Sequence, residues 1–204
     1  VLELRRVLGP GYELSFAAGG FKSFFDQSVE WDKVMPALNR VNLMSYDLVS
    51  GFSTVTGHHT PLYATAKQEA SVDAGVQYLK KLGVPAHKIV IGAAFYGRVW
   101  EQVQDVNNGL YQSGKFKSFV HYSRFKERLS DKNGFVFYRD SVAHAPFAYS
   151  ASLKEYATFD DPISLREKTQ YARREKLGGI MFWQLTGDSS GELLDAIYNS
   201  GKGY

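Results

Sequence analysis

Residues 41–47, with the sequence Val-Asn-Leu-Met-Ser-Tyr-Asp, constrain the fold more than any other part of the chain. The run is short and mostly apolar, ends in a phenol and a carboxylate, and is followed by the loop residues Ser50, Gly51 and Ser53. Its length favours a strand over a helix, and an apolar run without strict alternation is typical of a parallel strand buried on both faces. In a (β/α) barrel the carboxyl ends of the strands carry the active site, so Tyr46 and Asp47 are predicted to face a ligand.

Three further segments combine a compact apolar run with small or polar residues at its carboxyl end: residues 12–18, 88–94 and 180–185. Gly19 and Gly20 follow the first segment, and the second continues into residues 95–98, Phe-Tyr-Gly-Arg. Small residues let a loop or a ligand approach the end of a strand closely. The sequence therefore predicts four buried strands with related ends.

Segments with helical periodicity separate these strands. The clearest spans residues 71–82, with Ser71 as the predicted N-cap and Gly83 as the stop signal. Its apolar side chains lie along one face: Val72, Val76, Leu79 and Leu82. A shorter helix is predicted over residues 31–38, and residues 1–8 have the pattern of the end of an amphipathic helix.

The helix before the last strand has two candidate starts. Asp161 is a good N-cap with Pro162 at the first helical position, whereas Ser164 and Glu167 would form a capping box. Both starts remain open at the level of sequence. A final helix follows Asp188.

Residues 99–158 have a different pattern, with short alternating apolar segments separated by turns such as Asn133-Gly134. We therefore predict three βα units in residues 1–98, a small α+β insertion in 99–158, and the last barrel helices and strand in 159–204. Alternating strands and helices indicate a parallel sheet with right-handed crossovers. A complete (β/α)8 barrel needs about 250 residues, so the predicted α/β fold is four βα units, half of a TIM barrel.

Composition narrows the possible functions. The net charge of +3 comes from interspersed basic residues rather than a basic block, so a nucleic-acid partner is not expected. The chain contains no cysteine, which excludes disulfides, thiolate metal sites and cysteine nucleophiles. No apolar run reaches membrane-spanning length. Aromatic residues make up 15% of the chain, which fits either a carbohydrate cleft or an aromatic core.

Metal and cofactor sites are not predicted. His58 and His59 lie in a loop without a third ligand at a useful spacing, so a structural or surface role is favoured over metal binding. The glycine-rich turns match neither the P-loop pattern nor the dinucleotide fingerprint.

In order and spacing, four segments resemble the last four strands of glycoside hydrolase family 18, the chitinases: residues 14–20, 41–47, 91–98 and 178–183. A fifth match covers residues 158–162, Thr-Phe-Asp-Asp-Pro, where Phe159 stands in place of the tyrosine that is commoner in the family. The resemblance implies the C-terminal half of the catalytic barrel, with strands 5–7 in residues 1–98 and strand 8 in residues 159–204.

The resemblance also implies a set of site residues. In this family the N-acetyl group of the substrate attacks its own anomeric carbon, so no protein nucleophile is needed. Tyr46 would hydrogen-bond the acetamide carbonyl and orient it. The remaining residues would contact the sugar: Asp47, Tyr96 and Arg98 through polar groups, Met44 in the acetamide pocket and Trp183 as the aromatic floor.

Each of these roles has a structural alternative. Tyr46 could complete a hydrogen-bond network in the core, Arg98 could form an ion pair with Asp47 or Asp188, and Trp183 could be a core residue. The coincidence of four strand ends favours the site.

The family's catalytic acid is the glutamate that closes an Asp-x-x-Asp-x-Asp-x-Glu run, and this run is absent from the 204 residues. We therefore expect an N-terminal half, upstream of Val1, that supplies the acid, and we expect the present chain alone to be inactive. A half barrel would otherwise leave two open strand edges, which could pair with a second copy of the chain.

Two functions follow. The complete protein would hydrolyse β-1,4-linked N-acetylglucosamine polymers by substrate-assisted retaining catalysis, or it would be a non-catalytic chitin-binding, chitinase-like protein. Peptidoglycan and N-glycan cores remain alternative substrates. The partner is accordingly chitin or an N-acetylglucosamine oligosaccharide, without a cofactor, and the resemblance implies an extracellular or periplasmic location.

Overall fold

The computed structural model describes residues 1–202, which form nine strands and seven α-helices. The strands are β1 (Ser15–Gly19), β2 (Arg40–Met44), β3 (Ile89–Ala94), β4 (Tyr96–Glu101), β5 (Lys115–His121), β6 (Phe135–Asp140), β7 (Ala145–Ser150), β8 (Glu155–Thr158) and β9 (Gly179–Trp183). The helices are α1 (Leu2–Leu8), α2 (Lys22–Gln27), α3 (Trp31–Val34), α4 (Val72–Lys81), α5 (Phe125–Arg128), α6 (Pro162–Arg174) and α7 (Glu192–Gly201).

Four strands form a parallel sheet in the order β1-β2-β3-β9. Helices lie between consecutive strands of this sheet in sequence, as the alternation of strand and helix patterns predicted. The register pairs Gly19 with Met44 and Ala94 with Trp183, so the strands end at a common edge. Within residues 1–202, β1 and β9 each have a single neighbour and form the two edges of the sheet.

Three of the predicted strands are cut short at one end in the structure. The segment predicted over residues 12–18 becomes β1 only from Ser15, because the Leu14 backbone N–H bonds to the Asn39 side chain instead of a neighbouring strand. The strand predicted in residues 41–47 ends at Met44, which leaves the last three residues as a loop at the edge of the sheet. The strand predicted over residues 180–185 ends at Trp183. In all three cases the predicted segment extends past the hydrogen-bonded ladder.

The core of the parallel sheet lies between its strands and α4. Val72, Val76 and Leu79 are buried on one face of this helix and contact sheet residues such as Leu43 and Ile91 in one apolar cluster. The predicted N-cap is confirmed, since the Ser71 hydroxyl accepts a hydrogen bond from the Ala74 N–H. This packing holds β2 and β3 in their register.

The antiparallel sheet has the order β5-β4-β8-β7-β6. The chain passes from the parallel sheet to this one through Phe95, because β3 ends at Ala94 and β4 begins at Tyr96. The predicted boundary after Arg98 therefore falls inside β4. The division into 1–98, 99–158 and 159–204 stays a prediction, and residues 203–204 lie outside the described residues.

The start of α6 is Asp161. Its side chain accepts a hydrogen bond from the Ser164 N–H, and the Ser164 hydroxyl accepts one from the Asp161 N–H. Of the two predicted starts, the capping box at Asp161 is therefore the one observed, and Ser164 serves as its partner.

The first helix, α1, lies on the surface of the described chain. α1 has no buried residue, and its apolar side chains Leu2, Leu4 and Val7 are exposed. Among residues 1–202, no helix combines the length and the apolar character that crossing a membrane requires.

Replacing Ser71 by Ala should destabilise the chain by about 0.5–2 kcal/mol, because the first turn of α4 loses its capping acceptor. Equilibrium urea unfolding measures this difference. The control is Ser141→Ala, at an exposed turn residue without a side-chain hydrogen bond in the described chain, which should change stability by less than about 0.5 kcal/mol. Equal effects of the two substitutions would contradict the capping role.

Candidate active site

The end of β2 places four consecutive residues at the edge of the parallel sheet, Met44, Ser45, Tyr46 and Asp47. Ser45 is pinned to β3 by two hydrogen bonds, since its hydroxyl accepts from the Gly92 N–H (2.9 Å) and donates to the Gly92 carbonyl (3.0 Å). Asp47 has a φ of 58°, so the backbone turns sharply after Tyr46. As a result, Ser45 bonds to β3, Tyr46 packs in the cluster with Tyr96, and Asp47 faces a cavity.

Gly92 makes room for the Tyr46 ring. A Cβ at this position would lie 2.8 Å from Tyr46 Cε1 and 2.8 Å from the Leu43 carbonyl oxygen. Contacts this short exceed what a packed interior tolerates. The glycine in β3 is therefore required by the position of the phenol, which is a packing reason and needs no special φ.

Asp47 is the centre of the polar contacts. Its Oδ1 accepts a hydrogen bond from the Tyr96 hydroxyl (2.7 Å) and one from Arg98 Nε (2.5 Å). Tyr96 and Arg98 are two residues apart on β4 and so share a face of that strand. His59 Nδ1 lies 3.5 Å from the same oxygen. Two hydrogen bonds thus orient the carboxylate, and the His59 ring lies beside it.

These contacts determine the ionisation of the site. Burial by itself would raise the pKa of Asp47, but the hydrogen bond from Arg98 and the contacts with His59 and Tyr96 outweigh burial, so the pKa lies well below its usual range. Burial lowers the pKa of His59, so this imidazole is neutral at pH 7. The site therefore presents a carboxylate and a guanidinium at neutral pH.

Tyr46 is buried, and its ring lies edge-on to the Tyr96 ring with 6.2 Å between centroids. Met44 and Met181 pack against the same cluster. Burial, followed by the charge of Asp47, raises the pKa of Tyr46 to about 12, so the phenol is protonated at neutral pH. Its hydroxyl has no hydrogen-bond partner in residues 1–202, which leaves the O–H available as a donor.

A cavity of about 250 Å³ opens at this edge of the sheet. It is lined by Asp47, Tyr96, Arg98, Phe119, His121, Trp183 and Gln184. Four of the six predicted site residues thus line a single cavity, whereas Tyr46 and Met44 pack beside it in the cluster with Tyr96.

Trp183 is the last residue of β9 and is 59% exposed. An indole that is exposed at the wall of a cavity offers a flat apolar face to a ligand. Within residues 1–202 the indole is exposed rather than packed in a core, and its role toward a ligand stays a prediction.

The structural alternative for Arg98 is observed in one of its two forms, whereas the one for Tyr46 is not observed among the described residues. Arg98 pairs with Asp47 and not with Asp188. Asp188 instead caps α7, because its carboxylate accepts from the backbone N–H groups of Leu193 (2.9 Å) and Leu194 (3.0 Å). Tyr46 belongs to no core hydrogen-bond network among the described residues.

Several residues at the site were not predicted from sequence. Phe119 and His121 reach the cavity from β5, and Gln184 follows Trp183. Phe119 and His121 alternate on one strand face, but nothing in the sequence indicates that this strand lies beside the parallel sheet. Only the pairing of β5 with β4 brings them there.

The two adjacent histidines are fully buried rather than on the surface, and each faces a carboxylate. His58 Nε2 is 3.1 Å from Asp140, and His59 lies behind Asp47. Within residues 1–202, no group of three or more His, Cys, Asp or Glu side chains has the geometry of a metal site. Of the structural and surface roles that the sequence left open, the surface role is wrong, because both side chains are buried.

A sequence model of the glycosyl hydrolases family 18 matches residues 1–188. The chain belongs to glycoside hydrolase family 18. The predicted resemblance is therefore confirmed, and the parallel sheet with its polar carboxyl edge is part of a family-18 fold, a (β/α) barrel family.

Similar proteins agree with this assignment. Chitinase A1 of Niallia circulans is 33% identical over 207 residues, which cover 93% of this chain and 29% of the relative. A glycoside hydrolase family 18 N-acetylglucosaminidase from Paenibacillus barengoltzii superposes with a TM-score of 0.87 and 39% identity over 97% of this chain and 59% of its own. A Group IV chitinase of Ostrinia furnacalis in complex with allosamidin has a TM-score of 0.87 and 25% identity, over 97% of this chain and 59% of its own.

The chain spans 29% of the length of Chitinase A1 and 59% of the length of each of the two solved structures. These proteins are therefore longer than the segment described here. Family membership rests on nearly the whole of this chain, whereas the activity of the complete protein is a separate question.

The ion pair of Asp47 predicts a pH dependence of stability. Because the pKa of Asp47 is lowered in the folded chain, the ionised carboxylate stabilises the fold above the unfolded pKa, and this stabilisation is lost as pH falls through the folded value. Asp47→Asn should therefore cost about 1–2 kcal/mol between pH 5 and 7, after allowance for the partial exposure of the pair, and progressively less below about pH 4. Urea unfolding across this range measures the difference.

Asp105→Asn is the control, because Asp105 is exposed and has no hydrogen bond or ion pair in the described chain. Its effect should remain within about 0.5 kcal/mol at each pH. A difference between wild type and Asp47→Asn that grows on acidification would show that the sign is wrong.

Proposed function

We propose that the complete protein is a chitinase-type glycoside hydrolase that cleaves β-1,4 linkages of N-acetylglucosamine polymers, and that this chain supplies the C-terminal half of its (β/α)8 barrel. The observation that carries the proposal is the cavity at the carboxyl edge of the sheet, where Asp47, Tyr96, Arg98 and Trp183 converge in a family-18 chain. Active sites of such barrels lie at this edge.

The geometry suits substrate-assisted retention. In that mechanism the protein holds the N-acetyl group so that its carbonyl oxygen attacks the anomeric carbon, and the developing positive charge is shared with the acetamide. Tyr46 is the proposed donor to the acetamide carbonyl, which is supported by its protonated, unpartnered hydroxyl. Met44 would form the apolar wall of the acetamide pocket beside it.

The cavity residues would hold the sugar ring. All the observed contacts of Asp47 converge on Oδ1, so its other oxygen can accept a hydrogen bond from a sugar hydroxyl or an acetamide N–H. Arg98 uses Nε toward Asp47, and its terminal amino groups remain available as donors. Trp183 would stack under the apolar C–H face of the sugar at the cleavage point.

The general acid must come from outside the 204 residues, because the family's acidic run is absent. We propose that an upstream segment supplies the glutamate together with the remaining strands of the barrel. The proposal is supported by the open edges at β1 and β9 and by the greater length of the relatives. General acid catalysis then requires this carboxyl beside the leaving oxygen.

A non-catalytic chitin-binding protein is the second candidate, since this chain retains sugar-binding groups but lacks the acid. The sequence of the complete gene product separates the two, because a family-type glutamate upstream of Val1 favours the enzyme. If no upstream segment exists, the open edges leave self-association as the remaining way to cover them, and sedimentation of the chain would detect a dimer.

Replacing Tyr46 by Phe in the complete protein should lower kcat on a chitin oligomer by about 100-fold, because the acetamide loses its hydrogen-bond donor in the transition state. Stability should change by less than about 0.5 kcal/mol, since the hydroxyl has no partner in the described chain. Steady-state kinetics and urea unfolding measure the two effects. Tyr12→Phe, at an exposed tyrosine, should leave both unchanged, and unaltered kinetics in Tyr46→Phe would remove the acetamide role.

Replacing Trp183 by Ala should weaken binding of a short chitin oligomer by about 1–3 kcal/mol, the general contribution of a stacking aromatic. Titration calorimetry with the complete protein measures this. Tyr198→Ala is a matched control, because Tyr198 is also 59% exposed but lies on α7, away from the cavity. Equal losses in both variants would argue against a specific stacking platform.

A further inference from the structure

A buried ion pair lies behind the site and outside its cavity. Lys168 on α6 and Asp160 just before it have fully buried side chains, with Lys168 Nζ 2.8 Å from Oδ1 and 2.7 Å from Oδ2 of Asp160. Neither residue lines the cavity. Charged side chains are rarely buried to this extent unless they are paired.

The pair is completely satisfied by its surroundings. The ammonium of Lys168 also donates to the Thr60 hydroxyl (2.6 Å), so all three of its N–H donors have acceptors. Asp160 accepts further hydrogen bonds from the Ala94 N–H (3.0 Å) and from the Ser164 hydroxyl (2.7 Å). Burial lowers the pKa of Lys168 while the charge of Asp160 opposes this effect.

Two of these contacts reach the strand ends that carry the site. The Thr60 hydroxyl, which accepts from Lys168, donates to the Ser45 carbonyl (3.0 Å), and Ser45 directly precedes Tyr46. Ala94 is two residues before Tyr96. The paired register of β2 and β3 ends at Leu43 and Ile91, so beyond it these side-chain contacts supplement the Ser45–Gly92 hydrogen bonds.

A buried ion pair is weak evidence for stability, because apolar residues of similar volume often replace such pairs at no cost. Here the pair can instead fix positions, because its hydrogen bonds hold the Ala94 N–H directly and the Ser45 carbonyl through Thr60. Displacements of about 1 Å in a substrate-positioning group can lower turnover by about 100-fold.

We propose that Thr60, Asp160 and Lys168 are positioning residues that set the separation of the Tyr46 and Tyr96 side chains by anchoring the ends of β2 and β3 from behind. The activity part of this inference rests on the proposed function. The structural part does not depend on it.

The test uses Thr60→Val and Thr60→Ser in the complete protein. Valine matches threonine in shape and keeps Asp160 and Lys168 in place, but it removes the hydroxyl that donates to the Ser45 carbonyl and accepts from the Lys168 ammonium. We expect kcat on a chitin oligomer to fall at least about tenfold in Thr60→Val and to recover to within about threefold of wild type in Thr60→Ser. Thr169→Val is the matched control, because Thr169 is also buried and its hydroxyl bonds within α6, to the Leu165 carbonyl.

A second readout needs no activity. With tyrosines labelled by ¹³C at the ζ carbon, the signals of Tyr46 and Tyr96 should shift in Thr60→Val, return in Thr60→Ser and stay in place in Thr169→Val. If the wild-type protein does not cleave chitin, the proposed function fails while these signals still test the positioning role.

The inference is overturned if folded Thr60→Val keeps the wild-type kcat and tyrosine signals, or if Thr169→Val changes them equally. Should Thr60→Val not fold, the double variant Asp160→Asn with Lys168→Met takes its place. It removes both charges and keeps an acceptor for the Ala94 N–H. Shifted tyrosine signals in that variant support the inference, and unshifted signals overturn it.

Discussion

The parallel pairing of β2 with β1 and β3 is the constraint on which the rest of the structure depends. Parallel strands in register bring their carboxyl ends to one edge, so residues distant in sequence meet there without any local signal that joins them. Tyr46 follows β2, Tyr96 follows β3 and Trp183 ends β9. The helix α4 stabilises this arrangement by burying its apolar face on the sheet.

Electrostatics at the edge depends on a single carboxylate. Asp47 accepts hydrogen bonds from Arg98 and Tyr96, and the neutral His59 lies 3.5 Å from the same oxygen, so the charge of the carboxylate is compensated and its orientation is restricted. A preorganised group of this kind needs little rearrangement when a ligand binds. Behind it, the Asp160–Lys168 pair joins the same strand ends through the backbone, so the polar groups of the site form two layers.

The sequence predicted the strands of the parallel sheet well because each one is a short apolar run ending in polar or small residues. The helix α4 was predicted to within a residue at each end, since Ser71 and Gly83 are clear start and stop signals. The start of β1 and the ends of β2 and β9 were less accurate, because residues next to a strand can share its pattern without joining the hydrogen-bonded ladder. The boundary after Arg98 fell inside β4, because sequence does not reveal where a chain changes from one sheet to the next.

By itself, the sequence determined the order of the elements, the family and the residues at each strand end, because these follow from local composition and motif spacing. Only the tertiary structure decided which of those residues share a cavity, that Arg98 pairs with Asp47 rather than Asp188, and that Trp183 is exposed. It alone brought His59, Phe119 and His121 to the site. The physical reason is that these relations depend on strand pairing and packing between segments far apart in sequence, such as β3 and β9, whose register partners are 89 residues apart and share no local signal.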